Sequence, residues 1–328
     1  MILAGDIGGT NTRLGFFELE EDRLKAAAMD VYPSREYESL DEIVVKFVAK
    51  HDQRAERACF GVAGPVTSGR SRVSNLDWDV DADRLAQRLG LDTVTLSNDL
   101  EVNAYGIASL APEDFVVLNE GEADASGNEA LISAGTGLGE AGLHWEGRCH
   151  RPFPSEGGHV DFAPRNETEA DLLFFLMKEF PHVSYERVLS GPGLYNIYRF
   201  LRDTGRGKEP KWLAEQIRES DPPMVVTRCA LTGQSELCAE ALDLFVSIYG
   251  AEAGNLALKL MATGGVFVGG GIAPRIVEKL LEGTFMDAFV DKGRMAPVLE
   301  RVPVRVIRND RTALLGAARL ASLGSEPC

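Results

Sequence analysis

Asp6 is the first residue in this chain whose setting could do chemistry. It stands between an apolar stretch and a glycine pair in Leu3-Ala4-Gly5-Asp6-Ile7-Gly8-Gly9-Thr10-Asn11-Thr12-Arg13-Leu14. Residues 2–4 read as a buried strand, Gly8-Gly9 as a tight turn that glycine alone tolerates, and residues 12–19 as the returning strand of a hairpin. Such a turn offers bare backbone N–H groups and the Thr10 hydroxyl to an anion, and it places Asp6 to hold a hydrated Mg²⁺ beside that anion. Taken alone, the same residues also make an ordinary hairpin, since short glycine patterns recur by chance.

A second acid, Asp99, lies in Leu96-Ser97-Asn98-Asp99-Leu100, where a buried strand gives way to a helix. A carboxylate there can take a proton from a hydroxyl while the neighbouring Asn98 amide orients it. Either residue can instead simply cap the helix. In Ser155-Glu156-Gly157-Gly158-His159 two glycines bring an acid and an imidazole together, and Glu186 follows in Tyr185-Glu186-Arg187-Val188-Leu189-Ser190-Gly191-Pro192-Gly193. Carboxylates accept from vicinal hydroxyls and an imidazole does either. Against that stand a structural role for His159 and a solvated helix position for Glu186. Gly61-Val62-Ala63-Gly64-Pro65-Val66 and Asn75-Leu76-Asp77-Trp78 follow a strand and could line the floor of a site, with Trp78 as ready for a core as for a ligand.

The first hairpin has a counterpart. Ala130-Leu131-Ile132-Ser133-Ala134 runs into Gly135-Thr136-Gly137-Leu138-Gly139 and then a returning strand over residues 140–145. A third segment, Gly264-Gly265-Val266-Phe267-Val268-Gly269-Gly270-Gly271-Ile272-Ala273-Pro274, reads as a strand, a glycine turn and a helix begun by Pro274. Glycines there let an adenine and ribose lie flat against backbone. No G-x-x-x-x-G-K-[ST] occurs, and the glycine spacings do not fit G-x-G-x-x-G. Two phosphate-gripping hairpins facing each other across a cleft resemble the actin-like ATPase and sugar-kinase architecture.

The elements that must position these residues alternate in α/β fashion through the first third of the chain. Helices are expected near residues 40–49, 81–89 and 100–110, and strands at 58–62 and 93–96. Ala111-Pro112 breaks the pattern. A strand at 115–118 then opens a second lobe that turns mostly helical after Asp161 and ends in a strand at 304–307. Asn309 or Asp310 can cap a last helix over residues 311–322, whose small face carries Ala313, Ala317 and Ala321. The 328 residues suffice for two domains. A net charge of −16 argues against nucleic acid and anionic membranes as partners. The apolar helix expected over 235–262 carries Glu240, Asp243, Glu252 and Lys259, which disqualifies it as a membrane span. The chain opens directly into its first strand, so a cytoplasmic location is expected. Five cysteines lack C-x-x-C spacing and read as reduced thiols rather than a zinc site.

Taken in order, Gly-Asp-Ile-Gly-Gly-Thr-Asn, Ser-Asn-Asp-Leu, Gly-Thr-Gly-Leu-Gly, Glu-Gly-Gly-His, Glu-Arg-Val-Leu-Ser-Gly-Pro-Gly-Leu and Gly-Gly-Gly-Ile resemble the bacterial glucokinase family from Gly5 to the last helix. The resemblance is to its zinc-free branch, because no Cys-rich motif follows Glu-Gly-Gly-His. It implies a two-lobed actin-like ATPase (ribonuclease H-like) fold: a small α/β domain of residues 1–110 plus 309–328, a larger α+β domain of residues 111–308, and a cleft between them. The implied activity is ATP-dependent phosphorylation of D-glucose at its 6-hydroxyl, the entry step of glycolysis, with glucose and Mg²⁺-ATP bound by a homodimer. By position, Asp99 is the implied base, and Asn98, Asp99, Glu156, His159 and Glu186 hold the sugar. Gly5, Asp6, Ile7, Gly8, Gly9, Thr10 and Asn11, with Gly135, Thr136 and Gly137, meet the phosphates, and Gly269, Gly270, Gly271 and Ile272 meet the adenosine. A kinase for another hexose or amino sugar, or a non-catalytic sugar sensor, remains open on the same residues.

Overall fold

In the computed structural model, which describes residues 1–21, 23–73 and 76–323, the opening apolar run forms Ile2–Ile7 (β1), antiparallel to Asn11–Glu20 (β2). The strand is longer than its apolar residues 2–4 suggest, and it carries Gly5, Asp6 and Ile7 inside the sheet. A further strand, Arg23–Pro33 (β3), pairs with β2 where no strand is expected from the sequence. Its Lys25-Ala26-Ala27-Ala28-Met29 run favours helix intrinsically, and pairing with the long β2 edge overrides that preference. Helix Leu40–His51 (α1) is capped by the Ser39 side chain, which accepts from Glu42 N.

Arg57–Val62 (β4), the short pair Arg70–Arg72 (β5) and Asp79–Asp81 (β6), helix Ala82–Leu89 (α2), strand Thr95–Asn98 (β7) and helix Asp99–Ile107 (α3) follow. The sheet order is β3-β2-β1-β4-β7, and β1, β4 and β7 are parallel. These elements belong to a first compact unit of Met1–Asp114, Trp145–Pro154 and the chain from Asn309 onward.

The second unit comprises Phe115–His144 and Ser155–Arg308. Phe115–Asn119 (β8), Glu129–Ala134 (β9) and Leu138–Trp145 (β10) come first, while His150–Ser155 (β11) belongs, all but its last residue, to the first unit. Helices Glu167–Leu176 (α4), Gly191–Asp203 (α5), Lys211–Glu219 (α6), Pro222–Leu231 (α7) and Glu236–Leu260 (α8) make the helical stretch. Strand Gly265–Gly269 (β12), helices Val277–Leu281 (α9), Thr284–Val290 (α10) and Ala296–Leu299 (α11), and strand Val304–Ile307 (β13) complete the unit. Within it the strand order is β10-β9-β12-β13-β8. The helix expected at Pro274 is only a 3-10 turn, Ala273–Arg275, ahead of α9.

Helix α8 is the core element of this unit, with Phe245, Tyr249 and Ala253 fully buried. Gly250 and Gly254 let α10 approach closely: a Cβ on Gly250 would lie 2.0 Å from the Phe285 carbonyl oxygen. Among the described residues no helix is long and apolar enough to cross a membrane.

The last helix, Thr312–Leu323 (α12), belongs to the first unit and is started by Asn309, whose Oδ1 accepts from Arg311 N at 2.9 Å. Its buried face is Leu314, Ala317, Ala318 and Ala321, packed with Ile2, Ala4 and Val102; Ala313 lies at the margin. Two glycines bring α12 against α3. A Cβ on Gly106 would fall 2.0 Å from the Thr312 carbonyl oxygen, and one on Gly316 would fall 1.6 Å from that of Val102.

Candidate active site

In the first unit the three parallel strands end together. Register pairs Ile7 with Val62 and Val62 with Asn98, so the Gly8 turn, the Gly61 to Val66 loop and the Asn98-Asp99 pair all leave the carboxyl edge of one sheet. That edge is where open α/β sheets bind ligands, because the chain departs there and leaves backbone groups unpaired. Ala63 N donates to Ile7 O at 3.1 Å, which ties the second loop to the first strand.

Asn98 does cap α3: its Oδ1 accepts from Leu100 N at 2.9 Å, and its Nδ2 donates to Gly64 O at 3.2 Å. The Asp99 Oδ1 accepts from the same Leu100 N–H at 2.9 Å. The helix N-terminus that Asn98 caps thus also takes the Asp99 carboxylate, at the same sheet edge. Trp78 is core, 4 % exposed, with its indole N–H on Tyr37 O at 3.2 Å. Its neighbour Asn75 lies outside the described residues.

Gly5 and Ile7 are buried in β1. Gly5 is a glycine because Phe60 packs on it, with Cδ1 only 2.4 Å from where a Cβ would stand. The backbone that reaches the edge is therefore Gly8 to Asn11, with Asp6 behind it. The Gly8-Gly9 turn needs no left-handed residue at Gly8; the constraint there is the Asn11 carbonyl, 3.1 Å from a would-be Cβ.

Ser34, which the sequence does not single out, fixes this turn. It is fully buried at the end of β3, its Oγ donates to Gly8 O at 2.8 Å, and it accepts from Thr12 Oγ1 at 3.0 Å. Ser34 N also donates to Thr10 O at 2.9 Å. Replacing Ser34 by Ala strands a part-buried carbonyl and a buried hydroxyl. The expected loss is about 0.5–1.5 kcal/mol per net hydrogen bond, read as a lower urea midpoint; an unchanged midpoint would show that the turn does not depend on this hydroxyl.

The Asp6 carboxylate is largely buried and pairs with Arg13 Nη1 at 3.2 Å; Arg13 Nη2 reaches Asp310 at 3.7 Å. Burial pushes the Asp6 pKa up and the Arg13 guanidinium opposes that rise. Among the described residues no cluster of three or more His, Cys, Asp or Glu could cage a metal. A single carboxylate at a glycine turn suits Mg²⁺, which keeps several waters and takes most of its other ligands from phosphates.

The second unit repeats the design. Parallel pairing of β9 with β12 sets Ser133 opposite Gly269, so the Gly135 to Gly137 turn and the Gly270 to Ile272 loop leave one edge. Ile272 N donates to Ala134 O at 3.2 Å. Gly270 is the position that demands glycine: its φ is +84°, and a Cβ would sit 2.3 Å from the Ala134 carbonyl oxygen. Gly271 is exposed, with open space where its side chain would be.

Glu186 is not a solvated helix residue. It lies in the 3-10 turn Tyr185–Arg187, and its Oε2 accepts from Leu138 N at 3.1 Å, directly after the Gly135 to Gly137 turn. Gly191 N on Gly135 O at 2.8 Å ties the following segment to the same turn. Glu156 and His159 flank Gly157 and Gly158 in a short 3-10 turn that lies on β10: a Cβ on Gly158 would be 2.0 Å from the Leu138 carbonyl oxygen. Both side chains are exposed, and His159 Nε2 stands 3.9 Å from Glu156 Oε2. The structure thus gathers Gly135, Thr136, Gly137, Glu156, His159, Glu186 and Gly269 to Ile272 around the ends of β9, β10 and β12. Asn98, Asp99 and the Gly8 turn belong to the other unit.

A hairpin with a glycine turn at the sheet edge of each unit, and a closing helix returned to the first, define an actin-like sugar-kinase fold. A ROK family glucokinase from Streptomyces griseus, solved in complex with glucose and AMPPNP, has this fold: TM-score 0.66, 20% identity, 98% of this chain and 99% of that one covered. The glucokinase family model matches residues 3–323. A curated glucokinase from a Nostoc species is 40% identical over 338 residues, covering 98% of this chain and 99% of its own. A crystal structure of a glucokinase from an Antarctic psychrotroph superposes with a TM-score of 0.84 at 33% identity, covering 98% of both chains. The chain belongs to the glucokinase family.

Proposed function

We propose that this protein transfers the γ-phosphoryl group of ATP to the 6-hydroxyl of D-glucose, giving glucose 6-phosphate and ADP. Family membership over nearly the whole chain carries the reading, and the two edge hairpins with Asp99 at a strand end supply the parts. Phosphoryl transfer asks little covalent chemistry of a protein beyond alignment, charge neutralisation and exclusion of water.

Asp99 accepts the proton of the 6-hydroxyl as the new P–O bond forms, and the α3 cap keeps its carboxylate aimed at the sheet edge. Asn98 braces the Gly64 loop with one amide hydrogen and offers the other to the sugar. Glu156 and His159, exposed on their glycine turn, take up hydroxyls. Glu186 spends one oxygen on Leu138 N and presents the other to the sugar. Gly8 to Asn11 and Gly135 to Gly137 offer backbone donors to the phosphates, while the open face of Gly271 receives the adenosine. Asp6 would hold Mg²⁺ through water; when bound, the ion neutralises phosphate charge. A homodimer located in the cytoplasm is part of the same reading, by family likeness.

The test is a coupled assay for glucose 6-phosphate with Mg²⁺-ATP, run beside mannose, fructose and N-acetylglucosamine. Turnover confined to glucose is the expected result. Turnover with another sugar instead would move the protein to a different hexose, and sugar binding without any turnover would make it a sensor.

A further inference from the structure

Glu140 is a buried carboxyl that the proposed reaction does not use. It lies on β10, is 1 % exposed, and its Oε1 has no hydrogen-bond partner. A carboxyl in that position is costly to keep unless it does something, because an unsatisfied buried polar group loses its hydration without compensation. Its surroundings point at the sugar side of the site. The Glu140 side chain lies flat against Gly157, with Oε2 only 2.1 Å and Cδ 2.8 Å from where a Cβ on that glycine would stand. The Glu140 carbonyl oxygen accepts from Ser155 Oγ at 3.0 Å, and Ser155 Oγ in turn accepts from Gly157 N at 3.1 Å. One residue therefore supports the Glu156 to His159 turn with both its side chain and its main chain.

Behind it lies a second buried acid. Glu252 on α8 is fully buried and accepts from Lys259 Nζ at 2.9 Å and from Asn255 Nδ2 at 2.7 Å. Asn255 Nδ2 also reaches the Tyr185 hydroxyl at 3.1 Å, and Tyr185 immediately precedes Glu186. Glu140 supports the turn that carries Glu156 and His159, the Glu252–Asn255 pair reaches the turn that carries Glu186, and the two acids interact through their charges.

We propose that Glu140 is a positioning residue for the sugar: its carboxyl, lodged against Gly157, sets the Glu156 to His159 turn at the height at which both side chains engage the sugar's hydroxyls. The inference rests on the kinase reading above. Burial pushes the Glu140 pKa up to about 8, with the Glu252 charge adding to the rise and Lys259 opposing it. The other groups of the cluster, Tyr185 and Tyr249, are themselves raised by burial and stay neutral through this range. Lys292, itself lowered by burial, also feels Glu252.

Near neutral pH Glu140 is accordingly uncharged and packs as a flat, neutral group. As the pH passes its folded-state pKa, a second negative charge appears beside Glu252 under the Gly157 backbone, and the turn must shift to hydrate it. The folded chain holds this proton more tightly than the unfolded one, so the associated stability is present at low pH and is lost as the pH rises from about 4.5 to about 8.

The experiment is the pH dependence of glucose KM and kcat for the wild type, Glu140→Gln and Lys259→Met, with glucose affinity read in parallel by intrinsic tryptophan fluorescence. For the wild type, KM should rise about tenfold on the alkaline side while kcat holds, the factor that one pKa unit of coupling between proton and sugar represents. Glu140→Gln keeps the shape without the proton; it should match the wild type near neutrality and lose the alkaline rise. Lys259→Met removes the opposing cation from a half-exposed position and should move the rise to higher pH. An alkaline rise that persists unchanged in Glu140→Gln overturns the assignment of Glu140, whatever the enzyme's activity. Failure of the wild type to bind or phosphorylate glucose at any pH overturns the kinase reading itself.

Discussion

Asp99→Asn should lower kcat for glucose phosphorylation by about 10²–10⁴-fold, the usual weight of a positioned general base, while leaving glucose affinity nearly unchanged. The substitution is close to isosteric and keeps an oxygen that can accept from Leu100 N, so the cap of α3 survives and only the capacity to take a proton is lost. Binding and turnover must therefore separate. Titration by tryptophan fluorescence beside the coupled assay gives both numbers, and a variant with wild-type kcat would remove Asp99 from the base role. Asn98→Ala provides the contrast. It deletes the cap and the brace on Gly64 together, so affinity and stability fall with activity.

Gly270→Ala should damage the nucleotide side as severely. An alanine there must adopt a φ of +84° and place its Cβ 2.3 Å from the Ala134 carbonyl oxygen, the atom that receives Ile272 N. Overpacking of this kind costs about 1–3 kcal/mol, and each ~1.4 kcal/mol withdrawn from binding is tenfold in affinity. A lower Tm and an ATP KM raised about tenfold or more are expected, with glucose affinity retained. Gly271→Ala isolates the ligand, since nothing in the chain lies within 4 Å of the added methyl. It should raise the ATP KM with no change in Tm. If both variants bind ATP like the wild type, the adenosine does not lie on this loop.

The sequence makes the parallel strands and their glycine turns legible because each combines a short apolar run with a residue type that only a special backbone position favours. Residues 130–134 and 304–307 lie where their patterns place them, and the helix expected over 235–262 is Glu236–Leu260, capped by the Ser235 side chain. Strand β3 is not legible, since its mostly exposed, alanine-rich residues take their conformation from the β2 edge. Pro274 marks a turn rather than a helix, because a 3-10 turn accepts proline at its start as readily as an α-helix does.

Among the candidate site residues, Asn98, Asp99, Glu156, His159 and Glu186 stand out by type and by their glycine neighbours. Ser34 and Glu140 do not. A serine at a strand end and a glutamate in a Gly-Glu-Ala run give no sign that one is fully buried under a turn and the other is pressed against a glycine seventeen residues later in the chain. Their roles arise only when distant segments are stacked.

The close crossing of α12 on α3 has a consequence for how the protein is made. The whole second unit is synthesised between the helix that carries Asp99 and the helix that covers it, so on the ribosome the first unit waits half-built while its neighbour emerges. During that interval Gly106 and the face of α3 around Val102 are without the cover that α12 gives them. Asp99 opens the helix that α12 covers. A chain interrupted before Thr312 lacks the helix that covers α3, and contacts between segments so far apart in sequence are intrinsically slow to form.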